Sequence, residues 1–306
     1  MPKNLSPNFL IIGCERSGTH WVAALLNSHP EIACFPSLPW RGEDAGNTIG
    51  EVHFFNTVAD LYPAYRTKKY VRPFEDFLYK YNKVFADLVP LKDKIPLDKL
   101  MEKLIIKYSD YCDAQKGNKK IVGESTPAYI FFLDFMDTLY PSMKKLCSVR
   151  DPKDKIVSWH YNLIRKDKKS PDSEITEDFA LRYLTERIIP EYEALLEYKK
   201  EVFIITYERM HRNTKKVASE MVKYLGFTTN EDELDEMVSE ASFQKQTERD
   251  GTPKGRVSGQ EDIKSGLRKG IVGDWENNMD KALAEKIDTS VAKLREEVFD
   301  KYHVIE

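Results

Sequence analysis

The chain has 306 residues, and its 47 Lys+Arg against 50 Asp+Glu leave a formal net charge of −3. At 41% hydrophobic and 32% charged it is a globular sequence of one large or two modest domains, which excludes a long disordered chain. The near balance of charge excludes a global field that would draw the chain to DNA or an anionic membrane, so any anion must be met by a local basic cluster.

Phe9–Gly13 (FLIIG) reads as a buried strand and is too short for a signal-peptide core or a membrane span. The periodicity predicts a helix over Thr19–Asn27 and a short strand over Glu31–Phe35. Residues 36–118 read as a mostly helical insertion, ending in a helix over Leu97–Gln115. Its aromatic residues Tyr62, Tyr65, Tyr70, Phe74, Phe77, Tyr79 and Tyr81 either line an acceptor site or form the core of the inserted helices. Further strands are expected at Lys119–Glu124, Lys144–Val149 and Glu201–Tyr207. Helices are expected at Ala128–Leu139, Lys153–Arg165, Glu177–Tyr198 and Thr214–Leu225. Gly251–Gly273 reads as a lid-like basic loop. Apolar strands alternating with helices predict a single α/β domain over 1–306, with a central, mostly parallel sheet flanked by helices. Cys14, Cys34, Cys112 and Cys147 show no CxxC spacing, so neither a zinc site nor a disulfide framework is expected. A reduced, cytoplasmic protein is the expectation, with the oligomeric state open.

Three segments carry anion-binding chemistry. The first strand runs through Cys14-Glu15-Arg16-Ser17-Gly18 into a helix that starts at Thr19. A strand, a Gly-containing loop and a helix N-terminus present free N–H groups and a favourable dipole to phosphate. Gly13 and Gly18 have the spacing of a P-loop, yet Thr19 stands where the P-loop Lys belongs, and the cation is Arg16. The alternative is an ordinary strand-to-helix turn. In the second segment Arg150 leaves a strand at its carboxyl end, Asp151-Pro152 starts a helix, and Ser158 follows within it. Arg supplies a fork and Ser a hydroxyl for phosphate oxygens. A structural Arg–carboxylate bridge is the alternative. The third, Leu267-Arg268-Lys269-Gly270-Ile271-Val272-Gly273-Asp274-Trp275, sets two cations beside a glycine, either as a phosphate turn or as a solvated charge run.

Taken in order, these segments resemble the PAPS-dependent sulfotransferase family, PAPS being 3′-phosphoadenosine 5′-phosphosulfate. RSGTHW resembles its phosphosulfate-binding loop, and VRDPKDKIVSWHY its 3′-phosphate segment. RKGIVGDW resembles the C-terminal turn of the cytosolic members, Ser242-Phe243 the segment that meets adenine, and Tyr207-Glu208 the segment after the last strand. The resemblance implies a P-loop-like sulfotransferase fold, PAPS as donor and adenosine 3′,5′-bisphosphate (PAP) as product. It implies that Arg16, Ser17, Gly18, Thr19 and His20 grip the 5′-phosphosulfate and that Trp21 stacks on adenine. Arg150, Ser158, Arg268, Lys269 and Gly270 would hold the 3′-phosphate, with Tyr207 and Phe243 flanking the base. Many cytosolic members carry Lys where Arg16 stands; an Arg there acts electrostatically rather than as a proton donor.

The acceptor side departs from the cytosolic pattern, because no KTHLP-like segment with its catalytic His is found. Gly123-Glu124-Ser125-Thr126-Pro127-Ala128-Tyr129 looks like the EKTPxY segment of glycan sulfotransferases, and Glu51-Val52-His53-Phe54-Phe55-Asn56 like their EVHFFD. That match implies Glu51 as general base and His53 as its neighbour, with Asn56 in place of the Asp. An extended segment would set Glu51, His53 and Phe55 on one face and Val52 and Phe54 on the other. Glu124, at a strand end, is the runner-up base or a structural carboxylate, and His20 and His160 are further candidates. The expected function is sulfonate transfer from PAPS to a hydroxyl of a glycan or small-molecule acceptor, without metal. Neither a nucleic-acid partner nor a membrane span is expected. The competing readings are a P-loop nucleoside or metabolite kinase and a non-catalytic nucleotide-binding module.

Overall fold

The computed structural model describes residues 5–13, 15–36, 51–66, 68–76 and 83–305. Cys14, Phe77, Tyr79 and Tyr81 lie outside them, as does most of the early part of the insertion. Five strands, β1 Phe9–Gly13, β2 Ile32–Phe35, β3 Ile121–Ser125, β4 Lys144–Val149 and β5 Phe203–Thr206, pair in the order β2-β3-β1-β4-β5. Every pairing is parallel, as in Phe9↔Gly123, Ile11↔Leu146 and Ser148↔Ile205.

The strands are mostly apolar because both faces are covered, the charged exceptions being Glu124 of β3 and Lys144 and Lys145 at the start of β4. Leu10 and Ile12 of β1 pack with Cys147, Val149 and Ile204 on one face. Phe9 and Ile11 pack with Leu146 and Ile205 on the other. This two-residue alternation divides the core into two layers. The second layer is closed by the helices Thr19–Asn27, Thr214–Leu225 and Glu231–Glu240. The first is closed by Leu97–Lys116, Leu133–Leu139, Ile189–Glu197 and Lys281–Lys301.

Several expected elements differ in detail. Ala128–Leu139 is a 3₁₀ turn over Pro127–Phe132 followed by an α-helix over Leu133–Leu139. The expected Glu177–Tyr198 helix widens into a π turn at Leu184–Ile188 before resuming at Ile189–Glu197. Pro190 lacks the N–H that a regular helix would donate to Glu186, which accounts for the widened turn. The helices Tyr207–Arg212, Glu231–Glu240, Phe243–Arg249 and Lys281–Lys301 were not expected from the sequence. The described part of the insertion is helical at Phe54–Val58, Lys83–Leu91 and Leu97–Lys116.

β1 is flanked by β3 and β4, so the chain leaves it toward one side of the sheet and later returns on the other. The carboxyl ends of β1, β3 and β4 therefore converge on one edge, where open α/β sheets bind ligands.

Candidate active site

The loop after β1 is tied to β4 by Ser148, whose hydroxyl donates to the Ser17 carbonyl at 2.5 Å. Gly18 caps the first helix at φ 84, and a Cβ there would stand 2.6 Å from the Tyr207 ring. Only glycine meets both the backbone and the space at that position. Thr19 opens the helix and is buried, and the Ser17 hydroxyl is buried with no hydrogen-bond partner among the described residues.

Arg16 leaves this loop in the left-handed region, at φ 69. Its Nε donates to Ser158 Oγ at 3.0 Å, and its Nη2 to the Gly266 carbonyl at 3.2 Å. Burial, together with the charges of Arg165 and Arg150, pulls the Arg16 guanidinium below its ordinary value, although Tyr183 and Glu15 act the other way. Arg150 reaches the Ile271 carbonyl at 2.9 Å and Asp154 at 3.3 Å, and lies over the Tyr207 ring at 4.2 Å. Its Nε is a buried donor with no hydrogen-bond partner among the described residues. The guanidinium groups of Arg16 and Arg150, the Ser17 hydroxyl and a helix N-terminus thus gather at one place, a combination suited to an anion.

The aromatic expectations resolve into two groups. Trp21 meets the rings of Tyr207 and His211 edge-on, at 5.7 and 4.8 Å. Phe243 lies at the other side, under Gly270, where a Cβ would come 2.5 Å from its ring. Arg268 and Lys269 do not point into open space. Both pair with Asp274, a carboxylate 1% exposed; Arg268 also pairs with Glu261 and lies over the Tyr161 ring at 4.1 Å. They join Arg150 through Asp154, which accepts from the N–H groups of Gly273 at 2.9 Å and Trp275 at 3.0 Å. The 251–273 segment is folded around Arg256, which donates to the carbonyls of Gln260, Leu267 and Arg268.

Across the sheet edge, Glu51 Oε2 lies 3.1 Å from His53 Nε2. The extended alternation expected there is corrected. His53 is left-handed, at φ 54, and Phe54 begins a helix, so Phe55 is buried with Phe54 rather than sharing the face of Glu51. Asn56 Nδ2 contacts His53 Nδ1 at 3.3 Å and donates to the Tyr70 carbonyl at 2.9 Å. The Nε2 atom of His53, which faces Glu51, has a second neighbour. Arg72, which no sequence motif marked, stands 3.0 Å from the same Nε2. Burial tends to raise the Glu51 carboxyl. The hydrogen bond and charge of His53, with the charges of His20 and Arg72, outweigh it and hold Glu51 below its ordinary value. His20 lies in the first turn of the Thr19–Asn27 helix, next to the β1 loop, so its field on Glu51 joins the two halves of the site. His160 is held away from them by the Ser173 carbonyl at 2.9 Å and Lys169 at 3.3 Å.

Of the insertion aromatics, Tyr62 and Tyr65 pack on Phe135 and Phe74 is buried, as core residues. Tyr70 differs. It stacks on Phe131 at 4.7 Å, and Arg187 lies over its ring and pairs with Glu15 of the β1 loop. Arg187 comes from the π turn ahead of Pro190, where the sequence was read as continuous helix.

Glu124 is fully buried, and burial pushes it up to about 7 against hydrogen bonds from Thr126, Tyr108, Tyr129 and the Val52 N–H. Its unfolded value is lower, so the folded protein holds the extra proton between the two. The stability this provides is fully present below the ordinary value of 4.5 and is lost as pH rises through about 7. Unfolding free energies from denaturant titrations at pH 4 to 9 should therefore fall for the native chain relative to Glu124→Gln, by on the order of 3 kcal/mol in total. Parallel curves would show that Glu124 has the same affinity for protons folded and unfolded.

Residues 6–299 match the sulfotransferase domain family, and the chain belongs to it. It is 24% identical over 186 residues to sulfotransferase 1E1 of Bos taurus, covering 57% of this chain and 61% of that protein. It is 28% identical over 155 residues to sulfotransferase 1C2 of Homo sapiens, covering 47% and 52%. The matches thus span little more than half the length of these relatives. A sulfotransferase from Alicyclobacillus acidocaldarius superposes with a TM-score of 0.55 at 18% identity, over 99% of this chain and 98% of that one. Mouse sulfotransferase SULT7A1, solved in complex with PAP, gives 0.56 at 17% identity, over 95% and 85%. These two structures establish the sulfotransferase fold for the chain. The family match disfavours the kinase reading, as does Thr19 in place of the P-loop lysine.

Proposed function

We propose that the protein transfers a sulfonate group from PAPS to a hydroxyl of a glycan or small-molecule acceptor, releasing PAP. The observation that carries this reading is the 3.0 Å contact of Arg16 with Ser158, which joins two phosphate-type segments 142 residues apart. One phosphate site would need only the first loop; a donor phosphorylated at both ends needs the two together. The buried Ser17 hydroxyl and Arg150 Nε, which have no partner among the described residues, and the glycine space at Gly18 fit such a donor.

PAPS supplies an activated sulfonate for in-line transfer. Arg16 and the N–H groups at Gly18 and Thr19 face the 5′ end and neutralise charge there, with Ser17 and His20 beside them. Arg150, Ser158, Arg268, Lys269 and Gly270 take the 3′-phosphate, and Trp21, Tyr207 and Phe243 the adenine. Glu51, kept ionised by His53, His20 and Arg72, accepts the proton that the acceptor hydroxyl loses. Tyr70, Phe131 and Arg187 stand on the acceptor side. The segment 251–273 covers the donor, reaching Arg16 through the Gly266 carbonyl.

Among the described residues no helix is long and apolar enough to cross a membrane. The thiols of Cys34, Cys112 and Cys147 are free and buried, which supports a reducing, cytoplasmic setting.

Isothermal titration tests the donor assignment. PAP should bind at least about tenfold more tightly than AMP, since a second phosphate gains charge-assisted bonds. Equal affinities would remove the second clamp.

A further inference from the structure

Glu124 closes β3 and is 0% exposed, so no acceptor hydroxyl reaches it. Yet four protein donors converge on its carboxylate. The Tyr108 hydroxyl donates at 2.5 Å and the Thr126 hydroxyl donates as well; the Tyr129 hydroxyl and the Val52 backbone N–H complete the set. Tyr129 in turn accepts from the Phe54 N–H at 2.7 Å. The Phe54 ring lies flat on Tyr108, with centroids 4.0 Å apart and planes within 7°.

The two amides pinned in this way flank His53. His53 itself is left-handed, at φ 54 and ψ 27, which is unfavourable for a residue with a Cβ. That conformation persists because the backbone on both sides is held to β3. It also turns the imidazole back toward Glu51, 3.1 Å away, with Asn56 and Arg72 as its other neighbours. Without the anchor, residues 52–54 would relax toward an extended path, and the pair would separate.

We propose that Glu124 is a positioning residue: through Val52 and Tyr129 it fixes the backbone on which Glu51 and His53 are mounted, and it takes no proton from the acceptor. The inference rests on the reading of Glu51 as the base.

The test compares Glu124→Gln, Glu124→Ala, Tyr129→Phe and Glu51→Gln in the full chain. Turnover, donor affinity and the NMR titration of the His53 ring are measured for each. Gln keeps an oxygen to accept from Val52, so Glu124→Gln should hold turnover within about tenfold of native. Glu124→Ala should lose about 10²-fold, the cost of a misplaced catalytic group, with donor affinity unchanged. Tyr129→Phe frees the Phe54 N–H while leaving the carboxylate, and should also lower turnover. The His53 titration should move in Glu124→Ala and Tyr129→Phe and stay near native in Glu124→Gln. If Glu124→Gln is as inactive as Glu51→Gln while His53 titrates normally, Glu124 is a proton acceptor and the proposal is overturned. Normal turnover and a native His53 titration in Tyr129→Phe would overturn it too, without relying on the Ala variant to fold. Full activity of Glu51→Gln would reject the base assignment alone, because a moved His53 titration would still report the anchor.

Discussion

Glu51→Gln is expected to lower turnover by about 10²–10⁴-fold while leaving donor affinity nearly unchanged. The substitution keeps size and hydrogen bonding but removes the site that can take a proton at neutral pH. Glu51 is suited to that step by exposure as much as by charge: its side chain is 30% exposed, whereas Glu124 is sealed. His53 and the positive charges around Glu51 keep it ionised, so the acid limb of the pH–rate profile should lie below the ordinary 4.5 of a glutamate. That limb should vanish in the Gln variant. A normal rate for Glu51→Gln in a direct sulfonate-transfer assay would place the base elsewhere.

Arg150→Ala and Arg268→Ala are expected to weaken PAP binding by roughly 1.5–3 kcal/mol each, the loss of a charge-assisted bond to phosphate. Their effects on folding should differ. Removing Arg150 leaves Asp154, fully buried, with only the N–H groups of Gly273 and Trp275 among its described partners, so the melting temperature should fall. Removing Arg268 leaves Asp274 still paired with Lys269 at 2.6 Å, so the fold should change little. Calorimetric titration with PAP, alongside melting curves, separates the two effects. Unchanged PAP affinity in both variants would remove these arginines from the 3′-phosphate site.

Much of the sheet was legible in the sequence. β1 and β4 run over Phe9–Gly13 and Lys144–Val149, as read from their apolar runs, because strands buried on both faces carry a continuous apolar stretch between turn signals. The helix Thr214–Leu225 was equally plain, bounded by Asn213 and Gly226. The Lys281–Lys301 helix was not, since charged residues fill nearly half of its length and only Leu283, Ala284, Ile287, Val291 and Val298 are buried.

On the donor side, local sequence by itself determined the candidates: Gly18, Arg16 and Arg150 sit at strand-to-helix junctions and Ser158 two turns into the helix after Arg150, so short spacings set the anion-binding groups within a few residues. Only the tertiary structure decided which of them meet. Arg16 reaches Ser158 because parallel pairing brings the ends of β1 and β4 together. The acceptor side shows the opposite balance. EVHFF marked Glu51 and His53, but a period-two reading could not foresee a left-handed His53. That conformation is held by Glu124, Tyr108 and Tyr129, which lie more than fifty residues away in the chain. Arg72 and Arg187 likewise acquire meaning from what folding sets beside them, His53 for one and Glu15 for the other. Hydrogen bonds over one or two turns are written in adjacent residues; side-chain contacts across a sheet depend on the register of strands that the local sequence does not specify.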